Sequence, residues 1–171
     1  MDPEIVNHPM WGPRLKDALK SLPTYAITVK LSDFFDAKTG IYANAGGRGD
    51  QWERPASLEL IFADGRPGFQ INAGARIRGN FSRRTSNPKH AFRFYFRKQY
   101  SAGKLHFPVF KDSPPVVDNF DLRCGQNDSW TALPTTNAVF LRDLFARDSQ
   151  LAAGHQSARG DPAHLTINGQ Y

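Results

Sequence analysis

The sequence predicts an α+β domain with a mainly antiparallel β-sheet and one long helix. Most strand-like segments come first, a helical segment follows, and a last strand lies near the end, an order typical of α+β folds. The chain has 171 residues, of which 40% are hydrophobic and 12% aromatic. A chain of this length buries roughly 70% of the surface that its unfolded form exposes, so we expect one domain with a substantial core.

The first elements follow from hydrophobic periodicity. Residues 12–21 place their apolar side chains on one helical face, Pro13 suits a first turn, and Pro23 ends this helix. Residues 24–31 then alternate apolar and polar side chains, which predicts a strand. Turn residues separate the later segments, and the further strands are predicted over residues 57–62, 70–78, 91–97, 119–123 and 163–167.

The long helix is predicted over residues 138–152, with Asn137 as its N-cap. The strand at 163–167 is followed by Asn168-Gly169, the strongest short-range signal for a β-hairpin turn. This turn demands a partner strand, so we expect the chain to stop within a hairpin and to be part of a longer domain.

Positive charge is concentrated in the central third of the chain. Between Asp64 and Asp112 there is no acidic residue, yet this stretch holds eleven of the 22 basic residues of a chain with net charge +6. Charges of one sign repel one another and destabilise a compact fold, so we expect an anion to bind there. Composition leaves open whether it is a nucleotide, a nucleic acid, an acidic polymer or an acidic protein.

Residues 75–97 carry the strongest pattern within this stretch. Side chains alternate across a strand, and two strands paired as a hairpin would therefore sort them onto two faces. The predicted core face holds Ala75, Ile77, Phe92, Phe94 and Phe96. The predicted outer face holds Arg76, Arg78, Arg93, Tyr95 and Arg97.

The loop between these strands contains Gly79, Ser82, Arg83, Arg84 and Lys89. Such a loop offers backbone N–H groups and cations together, which is how proteins bind phosphate. It lacks the spacing of a Walker A motif. A solvated basic hairpin without a ligand is the alternative, because charge runs commonly form exposed faces.

An ordered set of sequence blocks resembles the N-terminal half of the CotH kinase family, which includes bacterial spore-coat kinases and secreted, envelope-associated proteins. The central block is GFQINAGARIRGNFSRRTSNPKHAFRFYFR, preceded by TGIYAN and WERPASLEL. The blocks GKLHFPVF, FDLRCGQNDSW, FLRDLFARDSQ and HLTINGQY follow it. The resemblance extends from about Glu4 to Tyr171.

This resemblance implies an atypical protein-kinase-like fold that transfers phosphate from ATP to Ser or Thr of a protein, with Mg²⁺ or Mn²⁺. Residues 1–23 would be a helical lead-in, and residues 24–171 the nucleotide-binding part of the domain. The implied ATP-binding residues are Arg78, Ser82, Arg83 and Lys89. Lys89 resembles the phosphate-binding lysine of kinases, whereas His90 stands where family members often have a second lysine. The catalytic carboxylates are expected downstream of Tyr171, so we expect this chain alone to be inactive.

Two carboxylates within the chain are candidates for further roles. Asp143, on the predicted helix, would orient Lys89 as a helix glutamate orients the kinase lysine, or else pair with Arg147 four residues on. Asp128, beside Asn127, would bind metal or close a turn through side-chain hydrogen bonds, and the turn is favoured.

The alternative function is a non-catalytic β-rich module that binds nucleic acid or an acidic surface polymer through the basic face. Phe81 and Tyr95, next to the arginines, would then be the residues on which bases stack. Affinity for a polyanion falls steeply with salt. A chelated nucleotide should depend far less on salt and strongly on the divalent metal.

Other classes lack support in the sequence. The five histidines show no i, i+4 pair for zinc, and no serine lies in a nucleophile elbow. Cys124 is the sole cysteine, which excludes an intramolecular disulfide. No apolar run is long enough for a membrane span, and the N-terminus does not resemble a signal peptide. From the resemblance we expect a spore-coat, cell-envelope or secreted protein.

Overall fold

A computed structural model describes residues 1–129 and 137–171. Its α-helices are α1 (Pro3–Val6), α2 (Leu15–Lys20), α3 (Leu31–Phe35) and α4 (Arg142–Ala152). Short 3₁₀ turns cover Gly12–Arg14, Asp50–Trp52, Phe81–Arg83 and Gln126–Asp128. In the described part of the chain, no helix is long and apolar enough to cross a membrane.

Six strands form the main sheet: β1 (Thr24–Thr28), β2 (Arg54–Ile61), β3 (Phe69–Arg78), β4 (Ala91–Tyr95), β7 (Asn119–Leu122) and β8 (His164–Ile167). Their order in the sheet is β7-β4-β3-β2-β1-β8. All neighbours are antiparallel except β1 and β8, which are parallel. A small second sheet pairs β5 (Leu105–His106) with β6 (Val116–Val117). The structure thus confirms an α+β, mostly antiparallel architecture.

The core lies on one face of a curled sheet. The ring centroids of Tyr25 on β1 and Phe120 on β7 are 5.6 Å apart, although three strands separate β1 from β7 in the sheet. Phe92 and Phe94 are buried between these edges, and Phe34 of α3 stacks on Phe92 at 5.6 Å. Burial of such aromatic side chains is the main stabilising contribution here.

The predicted register of the β3–β4 hairpin is confirmed. Ala75 pairs with Phe94 and Ile77 with Phe92, and all four side chains are buried. The opposite face carries the arginines, with Arg76 directly across from Arg93. The sequence pattern was sufficient because one face is apolar at every alternate position, and a slip of one residue would reverse both faces.

The predicted strand at 24–31 is too long. β1 ends at Thr28, and Leu31 begins α3 with its side chain 64% exposed. Phe34 and Ile41 enter the core from this helix and the following turn. The alternation of apolar and polar residues continues by chance beyond the end of the strand, so it does not mark where the strand ends.

The predicted long helix is also wrong in its extent. α4 begins at Arg142, four residues later than expected, and has 11 residues. Asn137 does not cap it, and its backbone oxygen instead accepts a hydrogen bond from the Arg142 side chain at 3.1 Å. Val139, Phe140 and Leu141 before the helix stay exposed, and so does Phe145 within it, at 74%, so packing does not extend the helix.

The predicted Asn168-Gly169 turn is present. Both residues have positive φ, 50° and 77°, and Ile167 and Gln170 exchange two backbone hydrogen bonds of 2.9 Å. These features define a two-residue type I′ turn. The Asn168 side chain also donates to Val29 O and accepts from Val29 N, which ties the turn to the chain after β1.

Candidate anion-binding site

The predicted outer face of β3 and β4 carries four arginines, Arg76, Arg78, Arg93 and Arg97, here called the arginine face. Each one lies within ion-pair distance of a carboxylate from outside the acid-free stretch. The charges of these four side chains are therefore shared with carboxylates of the protein itself. The charge pattern along the chain does not show which strands lie beside β3 and β4.

Asp121, on β7, neutralises one side of the arginine face. It accepts two hydrogen bonds from Arg93, at 2.6 and 2.9 Å, and its Oδ2 lies 2.5 Å from Arg78 Nε. The hydrogen bonds that Arg93 donates to Asp121 hold the pKa of Arg93 above its usual value. Arg78, one of the predicted ATP ligands, thus lies in an ion pair with a carboxylate of the protein itself, but its buried Nε–H has no hydrogen-bond acceptor among the described residues.

Glu53, just before β2, neutralises the other side. Its side chain is 3% exposed, and its carboxylate lies 2.6 Å from Arg76 Nε and 3.5 Å from an Nη of Arg97. The Tyr100 hydroxyl donates to the same carboxylate at 2.9 Å. Arg76 also contacts exposed Asp50. A buried charge needs such partners, because an unpaired one is costly.

Of the eleven basic residues in the acid-free stretch, six lie within ion-pair distance of a described carboxylate. They are Arg66, Arg76, Arg78, Arg93, Arg97 and Lys104. The predicted single-sign field is therefore partly neutralised by five carboxylates from outside the stretch. The remaining excess of charge lies mainly in loops.

The β3–β4 loop, residues 79–90, begins at Gly79 with φ 105°. Arg83 folds back under the loop and donates to the carbonyl oxygens of Gly79, Ala45, Gly47 and Ile77. Burial, and then the nearby charge of Arg48, lower the pKa of Arg83. The guanidinium that the resemblance assigns to ATP is thus occupied by main-chain oxygens.

Further buried hydrogen bonds brace the same loop. Asn87 donates to Phe81 O at 2.9 Å and accepts from Gln126 at 3.2 Å. His90 Nδ1 lies 2.8 Å from Ser82 O, and because a carbonyl only accepts, Nδ1 carries the proton. The His90 ring packs against Tyr42 at 4.8 Å. His90 is therefore a support of the loop.

The braced loop holds two exposed cations. Lys89 is exposed and has no hydrogen bond or ion pair with any described residue. Arg84 is exposed too, and its guanidinium lies 4.2 Å from the centroid of the Phe81 ring. The Ser82 hydroxyl lies over Gly79, where a Cβ would be only 2.1 Å from Oγ. Ser82 and Arg83 thus lie against Gly79, whereas Arg78 pairs with Asp121 and Lys89 is at the far end of the loop.

The candidate carboxylates take structural partners. Asp143 contacts Arg123 and lies 3.2 Å from Arg147 Nε, so it forms the alternative pair on the helix surface. Within the described residues, no carboxylate is within ion-pair distance of Lys89. Asp128 lies in a 3₁₀ turn, 3.6 Å from Arg142. Among the described residues, no group of three or more His, Cys, Asp or Glu could hold a metal ion.

Arginine side chains already lie over the rings of the two residues predicted to stack on bases. Guanidinium groups of Arg76 and Arg97 lie 4.5 and 4.8 Å from the centroid of the Tyr95 ring, and Arg84 lies over Phe81. These cation–π contacts occupy ring surface that a stacked base would need. Trp130, which ends the block FDLRCGQNDSW of the resemblance, lies outside the described residues.

No family model matches the chain, and neither a curated protein nor a solved structure matches it. The CotH resemblance therefore remains an expectation from the sequence blocks.

Sequence patterns gave no indication of Glu53 and Asp121, the residues that organise the arginine face. Glu53 lies in WERPASLEL and Asp121 in FDLRCGQNDSW, both far in sequence from the arginines that they bind. Only Asp121 lies within a predicted strand, at residues 119–123, where a charged side chain must face a neighbouring strand or solvent.

Proposed function

We propose that this chain is the nucleotide-binding part of a CotH-like protein kinase, in which the β3–β4 loop holds the phosphates of ATP. The observation that carries this proposal is Lys89, an exposed lysine without a partner among the described residues, on a loop fixed by hydrogen bonds of buried side chains. A rigid loop with a free cation is pre-organised for an anion, because little entropy remains to be lost on binding.

The proposal assigns different roles to the predicted ligands. Lys89 supplies the charge that contacts phosphate oxygens, and Arg84 adds a second cation on the same loop. Arg83 supports the loop from below, and Arg78 is held by Asp121. Phosphoryl transfer depends mainly on positioning and on charge stabilisation of the phosphates, and this chain contributes to both.

The proposed reaction transfers the γ-phosphoryl group of ATP to a Ser or Thr hydroxyl of a protein, with Mg²⁺ or Mn²⁺ bound to the nucleotide. The described residues offer no metal-binding group, so no metal ligand is assigned to this chain. By the same resemblance, the proposed location is the spore coat, the cell envelope or the secreted fraction of a bacterium.

Lys89→Ala tests the phosphate contact. A charge-assisted hydrogen bond contributes about 1.5 to 3 kcal/mol, so the variant should bind ATP with Mn²⁺ roughly one to two decades more weakly. Isothermal titration calorimetry measures this, with circular dichroism to show that the variant is folded.

Lys98→Ala is the matched control. Lys98 is exposed and unpaired within the described residues, but it follows β4 whereas Lys89 precedes it, so the two lie beyond opposite ends of that strand. The control should change affinity by no more than about twofold, as expected for a distant surface charge. Equal affinities of wild type and folded Lys89→Ala would refute the assignment.

A further inference from the structure

Arg83 connects two loops that are distant in sequence. Its Nη1 donates to Ala45 O at 2.9 Å and to Gly47 O at 2.7 Å, both in the glycine-rich loop of residues 43–51. Its Nε donates to Gly79 O at 2.7 Å, and its Nη2 bonds Ile77 O, at the end of β3. One guanidinium thus satisfies four carbonyl groups from two segments.

Only arginine can make this arrangement. The guanidinium is planar and presents five N–H donors in a fixed fork, whereas a lysine ammonium has three donors on a flexible stem. Within the described residues, Arg83 has no carboxylate within ion-pair distance, so carbonyl dipoles alone stabilise its charge. A second link joins the same loops, since Arg48 donates to the Asn80 side chain at 2.9 Å.

We infer that Arg83 is a positioning residue, which locks the glycine-rich loop to the β3–β4 loop and thereby fixes where Lys89 is presented. This role differs from direct phosphate binding, because the donors of Arg83 point at the main chain. For nucleotide affinity the inference rests on the proposed function, whereas the coupling of the two loops does not.

Arg83→Lys separates the two roles, because it keeps the charge but cannot satisfy the four carbonyls. Hydrogen–deuterium exchange should rise about tenfold or more in residues 43–51 and 79–90, since local opening becomes easier. The affinity for ATP with Mn²⁺ should fall about tenfold or more in the same variant, because a disordered loop must be ordered on binding. Arg84→Lys, at the neighbouring exposed position, should leave the exchange of both segments unchanged.

A direct ligand would give the opposite pattern. Unchanged exchange in Arg83→Lys, with affinity lost only in Arg83→Ala, would overturn the inference. If wild type does not bind ATP, the proposed function fails, but the exchange experiment still tests the coupling.

A measurement on wild type removes the dependence on a folded variant. The Nη protons of Arg83, observed by nitrogen-15 NMR, should exchange with water about tenfold or more slowly than those of exposed Arg84, because four carbonyls hold them. Equal exchange rates at the two arginines would contradict the inference regardless of how the variants fold.

Discussion

At the scale of single residues, burial and ion pairing determine which charges are available. Glu53 and Asp121 each lie between two arginines, and this allows four guanidinium groups to share one sheet face. Lys89 has no such partner within the described residues. Its charge is therefore available for the phosphate contact of the proposed function.

Tyr25 gives a residue-scale prediction about pH. Burial, with a smaller contribution from the charge of Asp161, raises the pKa of Tyr25 to about 12 from its usual value of 10.0. The unfolded phenol ionises first as the pH rises, so the stability that Tyr25 contributes is complete below pH 10 and is lost as the pH rises through 12. From about pH 9 to about pH 11, wild type should lose about 1 kcal/mol more unfolding free energy than Tyr25→Phe.

Urea denaturation at each pH measures the difference. The other tyrosines are common to both proteins, so their effects cancel in the comparison. Parallel decline of the two curves would show that Tyr25 ionises equally in the folded and unfolded chains.

At the scale of elements, strand β3 has a glycine at the position where the buried Glu53 side chain packs against the sheet. Gly74 leaves the space: a Cβ there would lie 2.4 Å from Glu53 Oε1 and 2.6 Å from a ring carbon of Tyr100. Glu53 is held by three partners and cannot move away easily. The glycine is therefore a packing requirement of the buried carboxylate.

Gly74→Ala should destabilise the protein by about 1 to 3 kcal/mol, the usual effect of overpacking a dense site. Chemical denaturation measures this loss. Gly46→Ala is the matched control, because a Cβ at Gly46 meets nothing within 4 Å, and it should stay within about 0.5 kcal/mol of wild type. Equal stability of both variants would show that Glu53 is not fixed against β3.

The strands could be predicted from the sequence better than the site. Alternation located β3 and β4 and their register, because Phe92 and Phe94 must face the core together. The partners of Arg76 and Arg93 could not be predicted, because they depend on which strands become neighbours in the sheet. The role of Arg83 depends on the loop folding back on itself, and such a conformation has no periodic pattern in the sequence.

At the scale of the whole molecule, strand order brings the distant blocks together. β7 lies beside β4, which places Asp121 on the arginine face, and β2 lies beside β3, which places Glu53 there. The parallel pair of β1 and β8 adds the last strand to the same sheet. Four of the sequence blocks that resemble CotH kinases therefore contribute strands to one sheet, whose β3–β4 loop presents Lys89.

The dissociation constant of ATP with Mn²⁺, measured on wild type as salt is raised from about 50 mM to about 300 mM, tests the central claim most directly. A nucleotide held by one or two cations should bind at one site, require the divalent ion, and weaken by less than about tenfold over this range. Absence of saturable ATP binding would contradict the account. So would metal-independent binding that falls by about a thousandfold, as contact with many phosphates predicts.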